Sequence, residues 1–134
     1  MKYIKITLGL FVTSFVLVFM GVNAEVGMML KKVQVPKLNF SYTSSAKEKT
    51  TWNTQYVYKV SAYDNDDHDV LVGISARVVP YLSGTTASAW VTTVDRQNVY
   101  FDSNSATAGS WKIQLKNKTS NITSSFFGNW IYNV

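Results

Sequence analysis

The chain predicts an all-β protein: an antiparallel β-sandwich of about seven strands that follows an N-terminal signal peptide. Apolar and polar residues alternate with period two over much of residues 25–134, which is typical of strands with one buried and one solvated face. Turn-forming residues separate these runs, and no segment outside the leader shows helical spacing. Short strands punctuated by turns fit a sandwich or a small barrel, and we favour the sandwich.

The first 24 residues have the features of an export signal. Lys2 and Lys5 give a positive start, residues 6–20 are almost wholly apolar, and small residues end the segment at Ala24. We therefore expect cleavage before Glu25 and a secreted, extracellular protein. The alternative is a leader that stays attached as a membrane anchor, although its apolar run is shorter than the roughly 20 residues that a spanning helix needs.

Length and composition limit what the secreted part can be. Residues 25–134 have the length of one ordinary domain, so a single core is expected. The chain has no cysteine, so no disulfide can stabilise it, which favours a bacterial, Gram-positive exporter. A eukaryotic secreted domain is the alternative, since Asn39, Asn117 and Asn121 match the glycosylation acceptor pattern.

The net charge of +5 includes Lys2 and Lys5, so +3 remains after the leader. A basic surface favours anionic cell-wall polymers or lipid headgroups as partners. The same charge is also ordinary for a soluble domain.

Alternation in the first half of the domain predicts three strands. The first begins after Pro36 and places Leu38, Phe40 and Tyr42 on one face. The second is long and directs its even-numbered residues inward: Trp52, Thr54, Tyr56, Tyr58, Val60 and Ala62. The third covers residues 70–78, again with even positions inward, and ends at Pro80.

The second half predicts four more strands. A strand at residues 87–94 is joined by a hairpin loop, residues 95–98, to a short strand at 99–101. Residues 102–109 are expected to be flexible. Trp111, Ile113 and Leu115 define the next strand, and the last strand places even positions from 122 to 134 inward. Gly128 indicates a bulge or bend in it.

The densest polar cluster is Asp64-Asn65-Asp66-Asp67-His68-Asp69. Its carboxylate oxygens suit calcium, which makes these the candidate metal ligands: Asp64, Asp66, Asp67 and Asp69. The segment lacks the central glycine and the closing glutamate of a helix-loop-helix calcium site, and zinc needs more nitrogen or sulfur ligands than one histidine supplies. We therefore expect a solvated turn with no cofactor, and calcium is the alternative.

Few residues suit catalysis, because the chain has one histidine and no cysteine, and no serine lies in a nucleophile-elbow pattern. We expect a protein that is not an enzyme.

Aromatic and apolar residues out of phase with the inward faces are the candidate ligand-binding residues: Tyr63, Phe127 and Ile131, together with Val57.

The C-terminal part runs from Ala108-Gly109-Ser110-Trp111 to Ser125-Phe126-Phe127-Gly128-Asn129-Trp130. With the export signal and the cysteine-free strands, it resembles small exported β-sandwich proteins of Gram-positive bacteria, some uncharacterised and some lactococcin-like bacteriocins. The histidine- and glycine-rich N-terminal portion of those bacteriocins is absent here, so no functional residue is carried over.

These observations predict a secreted, non-enzymatic protein that binds at or near a bacterial cell surface. The expected partner is a cell-wall polymer, a lipid headgroup or a surface protein, and not nucleic acid. A bacteriocin-like toxin acting on the envelope of competing bacteria is one alternative. A metal-dependent hydrolase is the other.

Overall fold

The computed structural model describes residues 25–38, 40–66, 71–81, 86–118 and 123–134. In these residues nine strands form two antiparallel sheets packed against each other, which confirms the predicted all-β sandwich. The described helical structure is one 3-10 turn, Ser103–Ala106. No helix in the described part of the chain has the length and apolar character needed to cross a membrane. The predicted leader lies outside the described residues.

The strands are β1 Val26–Val35, β2 Tyr42–Thr43, β3 Lys47–Lys49, β4 Tyr56–Asp64, β5 Ile74–Pro80, β6 Val91–Thr92, β7 Asn98–Tyr100, β8 Gly109–Asn117 and β9 Ser124–Asn133. The four-stranded sheet has the order β1-β9-β4-β7. The five-stranded sheet has the order β2-β8-β5-β6, and β3 also pairs with β8. Strand β9 is therefore central in one sheet, and β8 is central in the other.

The core lies between the sheets, and β8 and β9 supply its largest side chains. Trp111, Ile113 and Leu115 of β8 are fully buried, as the alternation predicts. Phe126 and Trp130 of β9 are equally buried and confirm the inward phase of the last strand. Each side chain of this size contributes about 1.5–3 kcal/mol when it is buried.

Strand β5 also follows the predicted phase. Val72, just before it, and Ile74, Ala76 and Val78 within it are buried. Val70 and Ile122, which were assigned to inward faces, lie outside the described residues. The strict period of two in β5, β8 and β9 is what made them predictable.

The first strand was predicted in the wrong place. Strand β1 lies before Pro36, and the residues after it contribute only the short β2, while Phe40 is 59% exposed. Strand β1 is irregular, because its pairing with β9 shifts between Leu30 and Val33 and Lys32 has a positive φ of 52°. A shift of this kind interrupts the alternation of apolar and polar residues, so the sequence of β1 lacks the pattern that is typical of a strand.

The predicted inward face of the second strand was only partly right, since two of its six residues are buried. Trp52 is 70% exposed and precedes β4, whereas Val57, proposed as part of an exposed strip, is fully buried. The pairing of β4 with β9 shifts between Lys59 and Ser61. One extra residue exchanges the two faces of a strand, so odd positions point inward before the shift and Ala62 points inward after it.

The connection at residues 95–98 is not a hairpin. Strand β6 pairs with β5 in one sheet and β7 pairs with β4 in the other, so this connection crosses between the sheets. The segment that was expected to be flexible contains the 3-10 turn, whose first amides are capped by Asp102. The Gln55 side-chain amide donates a 3.0 Å hydrogen bond to the backbone carbonyl of buried Ser105 in that turn, which fixes the turn to the core.

Gly128 of β9 has a pairing partner on each of the two neighbouring strands. It pairs with Leu30 on one side and with Lys59 on the other, beside both register shifts. A Cβ atom at this position would collide with the Tyr58 carbonyl oxygen and lie 3.1 Å from Lys59 Cα. Gly128 predicted a bulge in β9, but the extra residues lie in the neighbouring strands β1 and β4. The missing side chain of Gly128 leaves room for β4 to approach.

Candidate functional site

The outer side of the five-stranded sheet carries a set of cations that we name the cationic face: Arg77 of β5, and Lys112 and Lys116 of β8. Because alternate residues of β5 and β8 fill the core, these three point away from it. Pairing brings them together, since Arg77 is opposite Gln114, and Val79 is opposite Lys112. The cationic face is thus assembled by two strands that are far apart in the sequence.

Two aromatic rings hold these cations. The Arg77 Cζ atom lies 4.7 Å from the centre of the Trp90 ring, and Lys116 Nζ lies 4.1 Å from the same centre. Lys112 Nζ lies 4.7 Å from the centre of the Tyr81 ring. A cation over an aromatic face is attracted by the ring quadrupole, by about 0.5–1 kcal/mol at exposed sites. The rings position the cations and leave their charges intact.

No carboxylate neutralises the cationic face within the described residues. There, the single ion pair joins Lys59 Nζ to Asp95 Oδ1, at 2.9 Å. Glu48 of β3 lies beside β8, and its carboxylate accepts a hydrogen bond from Ser110 Oγ at 2.6 Å. Lysine and arginine are charged at neutral pH, so this face combines like charges that an anionic ligand would stabilise.

The predicted ligand-binding residues lie on the outer side of the four-stranded sheet. The Tyr63 and Phe127 rings stack with their centres 5.8 Å apart and their planes inclined by 27°. Ile131 lies further along β9, where it pairs with Gly27 and Tyr56. The structure thus brings Tyr63 and Phe127 together and places Ile131 at the other end of the same face. The fourth candidate, Val57, faces the core.

A groove of 460 Å³ runs along this outer side, across β1, β9 and β4. Its lining is mainly apolar and includes Met29, Val60, Tyr63 and Phe127, with Lys31 on β1. Its volume falls in the range of about 300–1,000 Å³ that is usual for small-molecule sites. The two outer sides of the sandwich therefore differ in chemistry: one is cationic, and the other is apolar and grooved.

Half of the candidate metal ligands can be placed. Asp64 Oδ1 accepts a hydrogen bond from the Asp66 backbone amide at 2.7 Å, which is a turn-stabilising role. Asn65 ties the turn to the sheet, because its side chain bonds Gln34 at 2.6 Å and Ser125 at 2.6 Å. Asp67, His68 and Asp69 lie outside the described residues, and among the described ones no three acidic or histidine side chains cluster as metal ligands.

Burial perturbs two kinds of titrating side chain. The Tyr56 hydroxyl donates a 2.5 Å hydrogen bond to Glu25, and burial, this hydrogen bond and nearby negative charge raise the pKa of Tyr56 above its ordinary value of 10.0. Burial alone also raises the pKa of Tyr42 and of Tyr132. Lys49 is 1% exposed with Nζ 2.9 Å from Thr51 Oγ1, and burial lowers its pKa.

Comparison of the chain with protein-family models, with characterised proteins and with solved structures finds no match. The resemblance to lactococcin-like bacteriocins therefore stays a prediction, and the function must be argued from the surfaces themselves. Sequence reasoning missed the cationic face. The alternation of Lys112 and Lys116 was a visible signal, but Arg77 and Trp90 join them only through strand pairing and loop packing.

Proposed function

We propose that this protein is a secreted, non-enzymatic binding protein of the bacterial cell surface, and that the cationic face holds an anionic cell-wall polymer. The observation that carries the proposal is the convergence of Arg77, Lys112 and Lys116 without a neutralising carboxylate among the described residues. A linear polyanion with evenly spaced phosphates matches several cations that lie together on one side of a sheet.

The geometry of the face favours electrostatic binding over a shape-specific pocket. The cations stand on neighbouring strands of one sheet, with Arg77 and Lys116 over the Trp90 ring and Lys112 over the Tyr81 ring. An arginine beside two lysines offers donors to several phosphates of one chain. Binding of this type is weakened by salt, because exposed charges are screened over about 10 Å at 0.1 M ionic strength.

The test uses Gram-positive cell walls with their anionic polymers intact and the same walls after chemical removal of those polymers. The protein should sediment with intact walls at low salt and stay in solution with stripped walls. The variant Lys112→Gln/Lys116→Gln should bind about thirtyfold more weakly, since each cation near an anionic surface contributes about 1 kcal/mol.

The control is Lys31→Gln/Lys37→Gln, which removes the same charge from exposed positions in and after β1. It should retain near wild-type binding and the same melting temperature. Equal binding to stripped walls, or an equal loss in both variants, would refute the proposal. Growth inhibition of related bacteria by the wall-bound protein would instead favour the bacteriocin-like alternative.

A further inference from the structure

The groove on the four-stranded sheet is produced by two irregularities at one level. Strand β1 shifts register between Leu30 and Val33, and β4 shifts between Lys59 and Ser61. Both shifts flank the same short part of β9, next to Gly128. Bulges bend a strand and redirect its side chains, and they are common next to binding sites. Two of them on either side of a central strand open a trough between their side chains.

The trough exposes apolar groups that a sandwich surface normally avoids. Met29 is 39% exposed and Val60 is 42% exposed, and the stacked Tyr63–Phe127 pair lines the same groove. The accessible surface of the groove is mainly apolar, although several polar side chains contribute to the lining, which favours an apolar chain over a sugar. A flexible hydrocarbon chain would cover these side chains and remove them from water.

One cation belongs to the lining. Lys31 lies in the β1 register shift and is exposed, and no carboxylate pairs with it in the described residues. Lys32 follows directly. An apolar trough with a positive group at its side matches a ligand that has an apolar tail and a negative head.

We propose that this groove binds a single-chain anionic amphiphile, with its acyl chain along Met29, Val60 and Phe127 and its acidic headgroup at Lys31. This site is on the opposite side of the sandwich from the cationic face and does not depend on it. A fatty acid and a monoacyl phosphate share the required chemistry.

The experiment is calorimetric titration of the whole secreted domain with dodecanoate, dodecyl phosphate and dodecyltrimethylammonium, each below its micelle concentration. Dodecanoate or dodecyl phosphate should bind with a stoichiometry of one, and the cationic amphiphile should bind at least about tenfold more weakly. Tighter binding of the carboxylate would assign a fatty acid, and tighter binding of the phosphate would assign a monoacyl phosphate.

Matched variants locate the site. Val60→Asp should weaken binding about tenfold, whereas Val94→Asp, at a side chain with the same 42% exposure, should not. Lys31→Glu should weaken binding about fivefold, whereas Lys112→Glu on the cationic face should leave it unchanged. If Val60→Asp fails to fold, Val60→Ser takes its place, with a loss of about threefold expected.

Three results would overturn the proposal. The first is equal affinity for the cationic amphiphile, and the second is an equal loss in Val60→Asp and Val94→Asp. The third is evidence for a different occupant of the groove. Binding only to anionic vesicles would indicate a membrane surface. A dimer of the free protein that is lost in Val60→Asp would indicate a second copy of the chain. Loss of cell-wall binding has no bearing here, so the two proposals fail separately.

Discussion

The outer sides of the two sheets share one architecture and differ in chemistry. On both sides, outward residues alternate along each strand with residues that face the shared core. One side is centred on β9 and the other on β8. The side over β8 presents Arg77, Lys112 and Lys116, and the side over β9 presents stacked rings in a groove.

The difference follows from how regularly the strands of each sheet pair. Strands β5 and β8 pair in an unbroken register, so their outward charged residues lie on one side of the sheet. Strands β1 and β4 each shift register beside β9, so their outward residues surround a trough. The proposed polymer site therefore lies on the regular ladder, and the proposed amphiphile site lies on the bulged one.

The largest effect on stability is expected from a deletion in β9, which contributes to the core that both sheets share. Deletion of residues 129–134 takes away half of the central strand β9 and the fully buried Trp130. Loss of that tryptophan alone costs about 3–5 kcal/mol, a large part of the 5–15 kcal/mol typical of a domain. Thermal unfolding followed by circular dichroism should lose its cooperative transition.

The control for the deletion is Trp52→Ala, because Trp52 is 70% exposed. This change should cost no more than about 0.5 kcal/mol. A truncated protein that melts at the wild-type temperature would show that β9 does not hold the sandwich together.

The second change affects the grooved sheet alone. Gly128→Ala places a methyl group against the Tyr58 carbonyl oxygen and near Lys59 Cα, and backbone atoms cannot rotate away. We expect a loss of about 1–3 kcal/mol, measured by urea unfolding. In Gly73→Ala the new Cβ meets only the Lys118 side chain, at 3.6 Å, so this control should be near neutral. Equal effects would contradict the close approach of β4 and β9.

The third change concerns pH. The pKa of Tyr56 is raised in the fold by burial and by the hydrogen bond to Glu25, so the folded state keeps its proton when the unfolded chain loses it. This stabilisation is complete below about pH 10 and is lost as the pH rises further. Tyr56→Phe should cost about 1 kcal/mol at pH 8 and should reduce the loss of unfolding free energy above pH 10.

Glu25→Gln separates the contributions to this pH effect. It removes the carboxylate charge and leaves Tyr56 buried, so the slope above pH 10 should fall between those of the wild type and Tyr56→Phe. Identical slopes in all three proteins would contradict the perturbed tyrosine. Lys49 acts in the opposite direction, because its pKa is lowered and stability rises with pH as the unfolded chain loses that proton.

The smallest effect is expected from a variant that removes an aromatic ring from the cationic face and keeps the positive charges. Trp90→Leu removes the ring that lies over Arg77 and Lys116 but keeps both charges. It should cost about 1 kcal/mol of stability and reduce affinity for intact walls by less than about threefold. A loss as large as that of Lys112→Gln/Lys116→Gln would mean that Trp90 binds the ligand directly.

Regular strands could be predicted from the sequence, and irregular ones could not. Strand β8 keeps period two throughout, and β5 and β9 keep it over their large buried apolar residues, so those residues were identified correctly. In β4 the register shift after Lys59 reversed the faces, which is why Val57 was assigned to the surface and Val60 to the core. Strand β1 has a similar shift and was missed altogether.

The candidate surfaces were predicted unevenly for a related reason. Tyr63 and Phe127 were identified because they are out of phase within their own strands, which is a local signal. The cationic face requires Arg77, Trp90 and Lys116 to meet, and their contact depends on pairing between β5 and β8 and on the path of the chain before β6. No local pattern contains that information.

The most direct test of the cationic face is the amide NMR spectrum of the protein during titration with poly(glycerol phosphate). We predict that the largest shifts map to Arg77, Lys112, Gln114 and Lys116, and that they diminish when salt is added. Shifts that cluster around Met29 and Phe127 in the groove, or a spectrum that does not change, would contradict the assignment of polymer binding to this sheet.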